Sequence, residues 1–301
     1  MVLYNPVQED VVNVERIADY FDQLVVVDNS PKSSSVCAQE WTKLEAVSIC
    51  RNYNKGGIAG AFNRALENLT DDPDLVILLD QDSRITLECV DQLVQSAEEI
   101  GDEPFVLGPA VFDVNLEKYS VLLNLETWRY RTKRPEDLPP GRHSVFSTIS
   151  SGSVISRKAR KILGGFDEEL FIDHVDTEYA LRARKRGVPF FIDTRATLKH
   201  AIGQRTEYKL LGVSFRPNNH NSARRYYIFR NGLILGIRYF YACPAFFLLN
   251  CARMIHELLC VILYEGKRCR KIVAIMLGVW DGLRLKVGAF SDRWPKLSKK
   301  L

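Results

Sequence analysis

Two aspartates separated by one residue, Asp80 and Asp82, follow the apolar run at residues 75–79. The run has the length of a buried strand, so both carboxylates would lie on the turn that leaves it. Two carboxylates at this spacing can hold Mg²⁺ or Mn²⁺ through one or two oxygens, while phosphates and water complete the coordination. The pair therefore predicts a metal–diphosphate site. The alternative is that Asp82 simply caps the next helix.

Short apolar runs alternate with helical patterns in the first half of the chain. This alternation predicts an α/β fold whose mainly parallel sheet is flanked by helices, with ligands beyond the carboxyl ends of the strands. Asp28 and Asp80 each end a strand run, so both should face one crevice. The charged, proline-rich residues 113–145 predict a loop over that edge. The predicted strands cover residues 24–27, 47–50, 75–79 and 105–112, and the predicted helices cover residues 58–69 and 87–100.

The bulk composition excludes several classes of protein. With 46% hydrophobic and 26% charged residues among 301, the chain is typical of a globular protein and not of a disordered one. Seven cysteines, an odd number with no C-x-x-C pair, indicate neither a disulfide framework nor a zinc site. The N-terminal residues lack the basic and apolar regions of a signal peptide, so a cytoplasmic location is expected.

Charge is distributed unevenly along the chain. Residues 251–301 hold eleven lysines and arginines against four acidic residues, a net charge of +7, whereas the first 250 residues carry −3. Long helical patterns begin near residue 232, which divides the chain into a catalytic region (1–231) and a helical, basic C-terminal region (232–301). Their longest apolar run, residues 239–249, is shorter than the roughly 20 residues that span a bilayer.

This C-terminal pattern favours helices that lie on a membrane surface, with their basic residues near anionic lipid. The alternative is an ordinary helical subdomain or a dimer interface. A nucleic-acid partner is disfavoured, because no recognition motif accompanies the charges. The sequence leaves a homo-oligomer open. The basic residues at issue are Lys267, Arg268, Arg270 and Lys271.

Most of the chain resembles the inverting glycosyltransferases of family 2, which have the GT-A fold. It is most similar to their bacterial rhamnosyltransferase branch, of which FIDHVDTEYALRARKRG and RRYYIFRN are characteristic. The order and spacing of the matching segments make the resemblance specific. These segments are LYNP (3–6), VVVDNS (25–30), NKGGIAGAFNRAL (54–66), LLDQDS (78–83), residues 150–187, LKHAIG (198–203) and RRYYIFRN (224–231).

The resemblance implies a binding site for a nucleotide-sugar donor. Asp80 and Asp82 match the family's D-x-D motif, and His200 matches a histidine that completes the metal or diphosphate site; the alternative for His200 is a satisfied histidine at a strand end. Gly152 lies in a Ser-Gly-Ser turn whose small side chains would let the sugar approach. The other implied donor-binding residues are Asp28 at the nucleobase, Asn5 and Pro6 in the nucleotide pocket, and Asn54, Gly57 and Asn63 on its opposite wall.

The resemblance also implies a catalytic base. Asp176 falls at the position of the family's base, which would take the proton of the acceptor hydroxyl. Acidic residues at a helix N-terminus often serve only as dipole partners. The family commonly has Glu-Asp here, and Val175 replaces the first acid, which leaves the roles of Asp173 and Glu178 open.

The implied activity is metal-dependent, inverting transfer of L-rhamnose from dTDP-L-rhamnose to a lipid-linked or cell-surface polysaccharide acceptor. Mg²⁺ or Mn²⁺ would be the cofactor, and the protein would associate peripherally with the inner face of the plasma membrane. One alternative is the same machinery with a UDP-sugar donor. Another is a catalytically inactive GT-A scaffold module.

Overall fold

A computed structural model describes residues 1–32, 46–200, 207–210 and 213–301. The strands predicted around residues 24, 47 and 106 are confirmed, and the one at residue 75 is shorter than predicted. The strands are β1 (Val2–Leu3), β2 (Leu24–Asp28), β3 (Val47–Arg51), β4 (Leu75–Ile77), β5 (Val106–Asp113), β6 (Lys118–Tyr119), β7 (Leu122–Leu125), β8 (Tyr130–Lys133), β9 (Arg142–Val145), β10 (Val154–Ser156), β11 (Phe190–His200), β12 (Tyr208–Leu210) and β13 (Val213–Phe215).

Helices flank the sheet and form the C-terminal region. Both predicted helices are present, and the second is capped by Thr86, whose side chain accepts the N–H of Cys89. Asp82 is therefore not the cap of that helix. The helices are α1 (Gln8–Ala18), α2 (Gly57–Glu67), α3 (Leu87–Ile100), α4 (Arg157–Leu163), α5 (Val175–Arg186), α6 (Ser222–Arg238), α7 (Pro244–Leu263), α8 (Arg268–Leu283), α9 (Phe290–Arg293) and α10 (Pro295–Ser298).

The central sheet is mixed. β1, β2 and β3 are parallel neighbours, and the second set runs in the order β4-β10-β5-β11-β9. β5 and β11 are parallel, whereas β10 and β9 run antiparallel to their neighbours. A parallel bridge between Val2 and Asp80 joins the two sets. Since Leu3 pairs with Asp28, β1 lies between the two aspartates and brings both strand ends to one edge, as predicted.

The expectation of a loop at residues 113–145 was wrong. This segment contains β6, the β7–β8 hairpin and β9, which pairs with the edge of β11. β8 is exposed along its whole length, so its residues are polar on both faces and lack the alternation that identifies a half-buried strand.

Two apolar layers cover the sheet. Along β2, Val25 and Val27 pack on the side of α2, α4 and α5, whereas Leu24 and Val26 pack on the side of α1 and α3. Successive strand residues point to opposite faces, so a continuous apolar run is required where both faces are covered.

The C-terminal helices pack on the catalytic region through α6. The proposed boundary between residues 231 and 232 falls inside this helix, which packs along α8 and also contacts α7. Glu265 is buried and pairs with Arg225 of α6 and with Lys271, whose ammonium lies 2.7 Å away. Lys271 therefore stabilises the helical packing and does not face a membrane, contrary to the expectation from its sequence position.

Among the described residues, one helix, α7, is long and apolar enough to cross a membrane by length and composition. The prediction from the eleven-residue apolar run underestimated the length of this helix, because the helix continues through Arg253 and Glu257 to residue 263. Only 28% of its apolar window is buried in the protein, so most of this surface is not covered by the protein core.

Candidate active site

The end of β2 and the turn after β1 form one side of the crevice. Asp28 is buried and its Oδ1 accepts the N–H of Ser30 at 3.0 Å. The Ser30 hydroxyl in turn accepts the N–H of Asn5 at 2.8 Å, which holds Asn5 in a left-handed conformation (φ 48°) next to the buried Pro6. The structure thus brings the predicted residues Asn5, Pro6 and Asp28 together.

Asn54 and Gly57 lie beside the same strand end. The side-chain amide of Asn29, the residue after Asp28, donates to Oδ1 of Asn54 at 3.3 Å and to the carbonyl of Gly57 at 3.1 Å. Asn54 and Gly57, which are predicted to line the opposite wall of the nucleotide pocket, therefore lie adjacent to Asp28.

Gly57 permits a close approach between α2 and the loop that precedes α5. Its φ is +63°, and a Cβ built there would lie 2.0 Å from the carbonyl oxygen of Phe171. The next residue, Ile58, donates its N–H to that carbonyl at 2.8 Å. A side chain at position 57 would separate the two segments.

Asn63 contacts a different part of the molecule. Its amide group donates to the carbonyl of Phe166 and to Glu168 and accepts the N–H of Phe166, at 2.7–3.0 Å. These bonds hold residues 166–168 against α2, six residues beyond Gly57. Among the described hydrogen bonds, none joins Asn63 to Asn54 or Gly57.

Asp80 is held in the crevice by the Ser-Gly-Ser turn. Ser151 donates its hydroxyl to Oδ2 of Asp80 at 2.5 Å, and the N–H of Gly152 donates to Leu78 at the end of the same strand. Burial raises the pKa of Asp80; the Ser151 hydrogen bond opposes this effect and the nearby Asp82 carboxylate adds to it. Gly152 (φ +77°) packs against Pro109, so its lack of a side chain serves this packing.

Asp82 and His200 form a pair at the outer edge of the crevice. Nδ1 of His200 lies 3.8 Å from Oδ1 of Asp82, whose side chain is 55% exposed. The same nitrogen is buried and has no hydrogen-bond partner within the described part of the chain. The alternative, a strand-end histidine whose two ring nitrogens both have hydrogen-bond partners, therefore does not fit His200. An unused nitrogen that faces a carboxylate fits a shared divalent cation.

The described side chains alone supply too few ligands for a complete metal site. Within the ranges that the structure describes, no group of three or more His, Cys, Asp or Glu side chains is arranged to hold a metal ion. A cation at Asp82 and His200 would need further oxygens, and diphosphate and water are the ligands that Mg²⁺ and Mn²⁺ usually take in such sites.

Asp176 lies in the first turn of α5, and its side chain lines a cleft of about 740 Å³. Its Oδ1 accepts the N–H of Thr177 at 2.7 Å. Burial raises the pKa of Asp176 to about 6, against the effect of this hydrogen bond and with a contribution from the negative charge of Asp80. The carboxyl group can therefore accept a proton near neutral pH.

The cleft that Asp176 lines also reaches Val111 and Asp113 at the carboxyl end of β5. Its walls come from the β6–β9 segment and from α6 and α7, so the region predicted as a loop forms part of the enclosure. Residues at its surface include Tyr119, Tyr130, Arg134, Asn250 and Arg253. The aromatic rings and hydrogen-bonding side chains are suited to a polar ligand with apolar faces.

The roles of Asp173 and Glu178, open from the sequence, differ from that of Asp176. Glu178 is buried and pairs with Arg182, while its Oε1 accepts the hydroxyl of Tyr239 at 2.7 Å. The two carboxylate oxygens of Asp173 accept hydrogen bonds from Nε and Nη2 of Arg224. Both carboxylates are therefore engaged in holding helices together.

Arg224 was not among the predicted site residues. It interacts electrostatically with Asp80 and Asp82 as well as with its partner Asp173. Its position in the RRYYIFRN segment was visible in the sequence, but only the packing of α6 beside the acidic loop places its charge near the crevice.

Comparisons with known proteins identify the family of the chain. The sequence profile of glycosyl transferase family 2 matches residues 9–163. The chain is 32% identical over 240 residues to dTDP-rhamnosyl transferase RfbF of Shigella flexneri. The aligned region covers 78% of each protein.

Two solved structures share the fold. One is GalNAc-T7 with UDP, GalNAc and Mn²⁺ (TM-score 0.53, 15% identity, 70% of this chain), and the other is TarS of S. aureus (TM-score 0.56, 12% identity, 90% of this chain). The present chain spans 43% and 46% of these two proteins, respectively.

Proposed function

Because this chain belongs to glycosyl transferase family 2, we propose that it transfers L-rhamnose from dTDP-L-rhamnose to a glycan or glycolipid acceptor with inversion at the anomeric carbon. The observation that carries the proposal is Asp176, a carboxyl group with a pKa of about 6 at the surface of a large cleft and electrostatically coupled to Asp80. The donor and the acceptor would meet between these two carboxylates.

In the proposed reaction, Asp176 removes the proton from the acceptor hydroxyl. The acceptor oxygen forms a bond with the anomeric carbon as the bond from that carbon to the diphosphate oxygen breaks on the opposite face. The products are the glycoside with inverted configuration, the nucleoside diphosphate and a proton that leaves Asp176. This displacement requires the base and the departing diphosphate to lie on opposite faces of the anomeric carbon, and the proposal assigns them to Asp176 and to the Asp80–Asp82 turn, respectively.

The donor would lie along the strand ends. Asp28, Asn5 and Pro6 would bind the nucleoside, with Asn54 and Gly57 opposite, and Gly152 would border the sugar. Asp80, Asp82 and His200 would hold Mg²⁺ or Mn²⁺ together with the diphosphate. A bound divalent cation would supply charge stabilisation for the departing diphosphate. GalNAc-T7, which shares the fold, was solved with UDP and Mn²⁺.

The acceptor would occupy the cleft that Asp176 lines. This assignment is supported by the volume of about 740 Å³ and by the mixture of aromatic, amide and guanidinium groups on its walls. A single sugar fills only part of such a volume, so the cleft suits an acceptor that already contains several groups.

A membrane surface is proposed as the place of action, on the cytoplasmic side. The outer faces of α7 and α8 expose apolar side chains at helical spacing; Ile255 is 62% and Met276 64% exposed. Lys267, Arg268 and Arg270, at the turn between these helices, are exposed as well. Apolar helix faces bordered by cations are typical of peripheral attachment to anionic lipid.

The proposal is tested with a panel of dTDP-, UDP- and GDP-sugars in the presence of Mn²⁺ or Mg²⁺. We expect dTDP-L-rhamnose to raise the melting temperature most, because a ligand of the native state stabilises it by mass action. Consumption of the donor should then require a glycan or glycolipid acceptor. Preference for a UDP-sugar would replace the donor assignment, and donor binding without transfer to any acceptor would favour an inactive scaffold.

A further inference from the structure

The backbone before α5 is held in an unfavourable conformation. Three non-glycine residues in a span of four, Phe171, Asp173 and His174, have φ angles between 61° and 69°. Backbone with a positive φ is unfavourable for residues other than glycine, so surrounding contacts must compensate for it. His174 is the N-cap of α5. The conformation of this loop therefore determines where the first turn of α5, with Asp176, lies.

Asn231 on α6 provides the most concentrated set of these contacts. Its side chain is fully buried, and its amide NH₂ group donates to the carbonyls of Leu170, Ile172 and Asp173, each at 2.9 Å. The two amide hydrogens of Asn231 are shared among these three carbonyl oxygens, which lie before and after Phe171 in the chain. No other residue type of this size offers two donors and one acceptor in a plane.

Arg230 fixes the orientation of that amide. Its Nε–H donates to Oδ1 of Asn231 at 2.8 Å, so the amide oxygen is used and the NH₂ group faces the loop. The guanidinium also donates to the carbonyls of Glu169 and Leu170, both at 3.0 Å, and to Gly288. Like Asn231, Arg230 is fully buried.

Hydrogen bonds thus hold the loop, residues 169–174, from two sides. On the α2 side, the N–H of Ile58 binds the carbonyl of Phe171, across the space that Gly57 leaves open. On the α6 side, Arg230 and Asn231 bind four consecutive or neighbouring carbonyls. α6 lies outside the segment that matches the family profile, residues 9–163.

We propose that Asn231, oriented by Arg230, is a positioning residue that holds Asp176 in place for proton removal. The inference rests on the proposed role of Asp176 as the base. It assigns the Arg-Asn pair of α6 a role in catalysis, although neither side chain lines the cleft at Asp176. α6 is then part of the catalytic unit and not only a support for the C-terminal helices.

Asn231→Asp tests the proposal. This change preserves size and the contact with Arg230, but it replaces the donating NH₂ group with an oxygen that faces three carbonyl oxygens. We expect kcat to fall tenfold or more, with the KM for the donor changed less than threefold, since the donor residues at the strand ends are untouched. Arg230→Lys, which keeps the charge but loses the contact with Oδ1, should show the same signature to a smaller degree.

A control is available on α8. Lys271→Gln removes the buried contact of its ammonium with Glu265, 2.7 Å long, and none of the described hydrogen bonds joins Lys271 to the loop. It should lose thermal stability and retain kcat. If Lys271→Gln lowers kcat as much as the Asn231 and Arg230 variants do, those residues act through general stability and the proposal is overturned.

A double-mutant cycle separates this inference from the function on which it rests. If Asn231 acts through Asp176, the Asn231→Asp change should lower kcat in the wild type but have little further effect in the Asp176→Asn background. Independent, multiplicative effects would overturn the positioning role. An Asp176→Asn variant with unchanged kcat would instead refute the proposed base, irrespective of Asn231.

Discussion

Nδ1 of His200 lies 3.8 Å from Oδ1 of Asp82 and has no other described partner, although it is buried. An unpaired buried nitrogen costs free energy, and a cation shared with the carboxylate would recover it. The relationship joins the end of β11 to the turn after β4, which are more than a hundred residues apart in sequence.

His200→Ala should therefore weaken Mn²⁺ binding in the presence of dTDP about tenfold or more, on the scale expected when one ligand is lost. Asp82→Ala should weaken it at least as much. Titration calorimetry or Mn²⁺ paramagnetic resonance measures the effect. His143→Ala is the control, because His143 binds the carbonyl of Pro139 away from the crevice. Equal Mn²⁺ affinity in the wild type and the His200 variant would exclude this histidine as a ligand.

Asp176→Asn should lower kcat by about a hundredfold or more, the scale expected for loss of a general base. The donor Kd should stay near that of the wild type, because the substitution preserves shape and Asp176 lies at the cleft rather than among the proposed nucleotide contacts. Steady-state kinetics and calorimetry with dTDP-L-rhamnose in the absence of acceptor provide the two values. A parallel collapse of donor affinity would identify Asp176 as a donor-binding residue.

The pH dependence of transfer follows from burial, which raises the pKa of Asp176 to about 6. A general base must be ionised, so kcat/KM should fall about tenfold per pH unit below 6 and level off above it. The profile should be measured at saturating metal. A rate that is constant from pH 5 to pH 8 would contradict a base with this pKa.

The same shift predicts a gain of stability in Asp176→Asn. The folded-state pKa lies above the ordinary value of 3.8, so the stability associated with this group is fully present below pH 4 and is lost as the pH rises through about 6. The variant, which cannot ionise, should be more stable than the wild type at pH 7.5 by up to about 3 kcal/mol. Denaturant unfolding at pH 7.5 and pH 4 checks the sign, since the gain should vanish at pH 4.

Binding to anionic vesicles should depend on the exposed cations between α7 and α8. Replacement of Lys267, Arg268 and Arg270 by Gln should weaken sedimentation with phosphatidylserine vesicles tenfold or more, as each cation contributes about 1 kcal/mol near an anionic surface. Lys271→Gln should lower thermal stability instead, because its ammonium is buried against Glu265.

The matched control for this surface removes the same charge elsewhere. Lys158, Arg184 and Lys185 are exposed on α4 and α5, and their replacement by Gln should leave vesicle binding unchanged. If both triple variants bind vesicles equally, the attachment follows net charge and not the α7–α8 surface.

Gly57→Ala should destabilise the protein more than Gly187→Ala. Both glycines have a positive φ, +63° and +74°, so both variants carry backbone strain of about 1–2 kcal/mol. A Cβ at Gly57 also meets the Phe171 carbonyl at 2.0 Å, whereas the space around Gly187 is open. Denaturant unfolding compares the two losses. Equal losses would indicate that the α2–loop contact is easily displaced.

Sequence alone determined the local features of the site. Strand ends at Asp28 and Asp80 were predictable, because uninterrupted apolar runs identify buried strands and their ends define an edge of the sheet. The family assignment was equally accessible, because it depends on motif order. The exposed strand β8 was not, since its side chains do not alternate between apolar and polar residues.

Tertiary structure alone decided which charged residues act together. Asp173, Asp176 and Glu178 are close in sequence and have similar chemistry, yet Arg224, Tyr239 and Arg182 engage two of them and leave Asp176 at the cleft. Likewise, Lys271 resembles its basic neighbours in sequence but is buried against Glu265. The free energy of a charged group depends on its solvation and its partners, and contacts distant in sequence determine both.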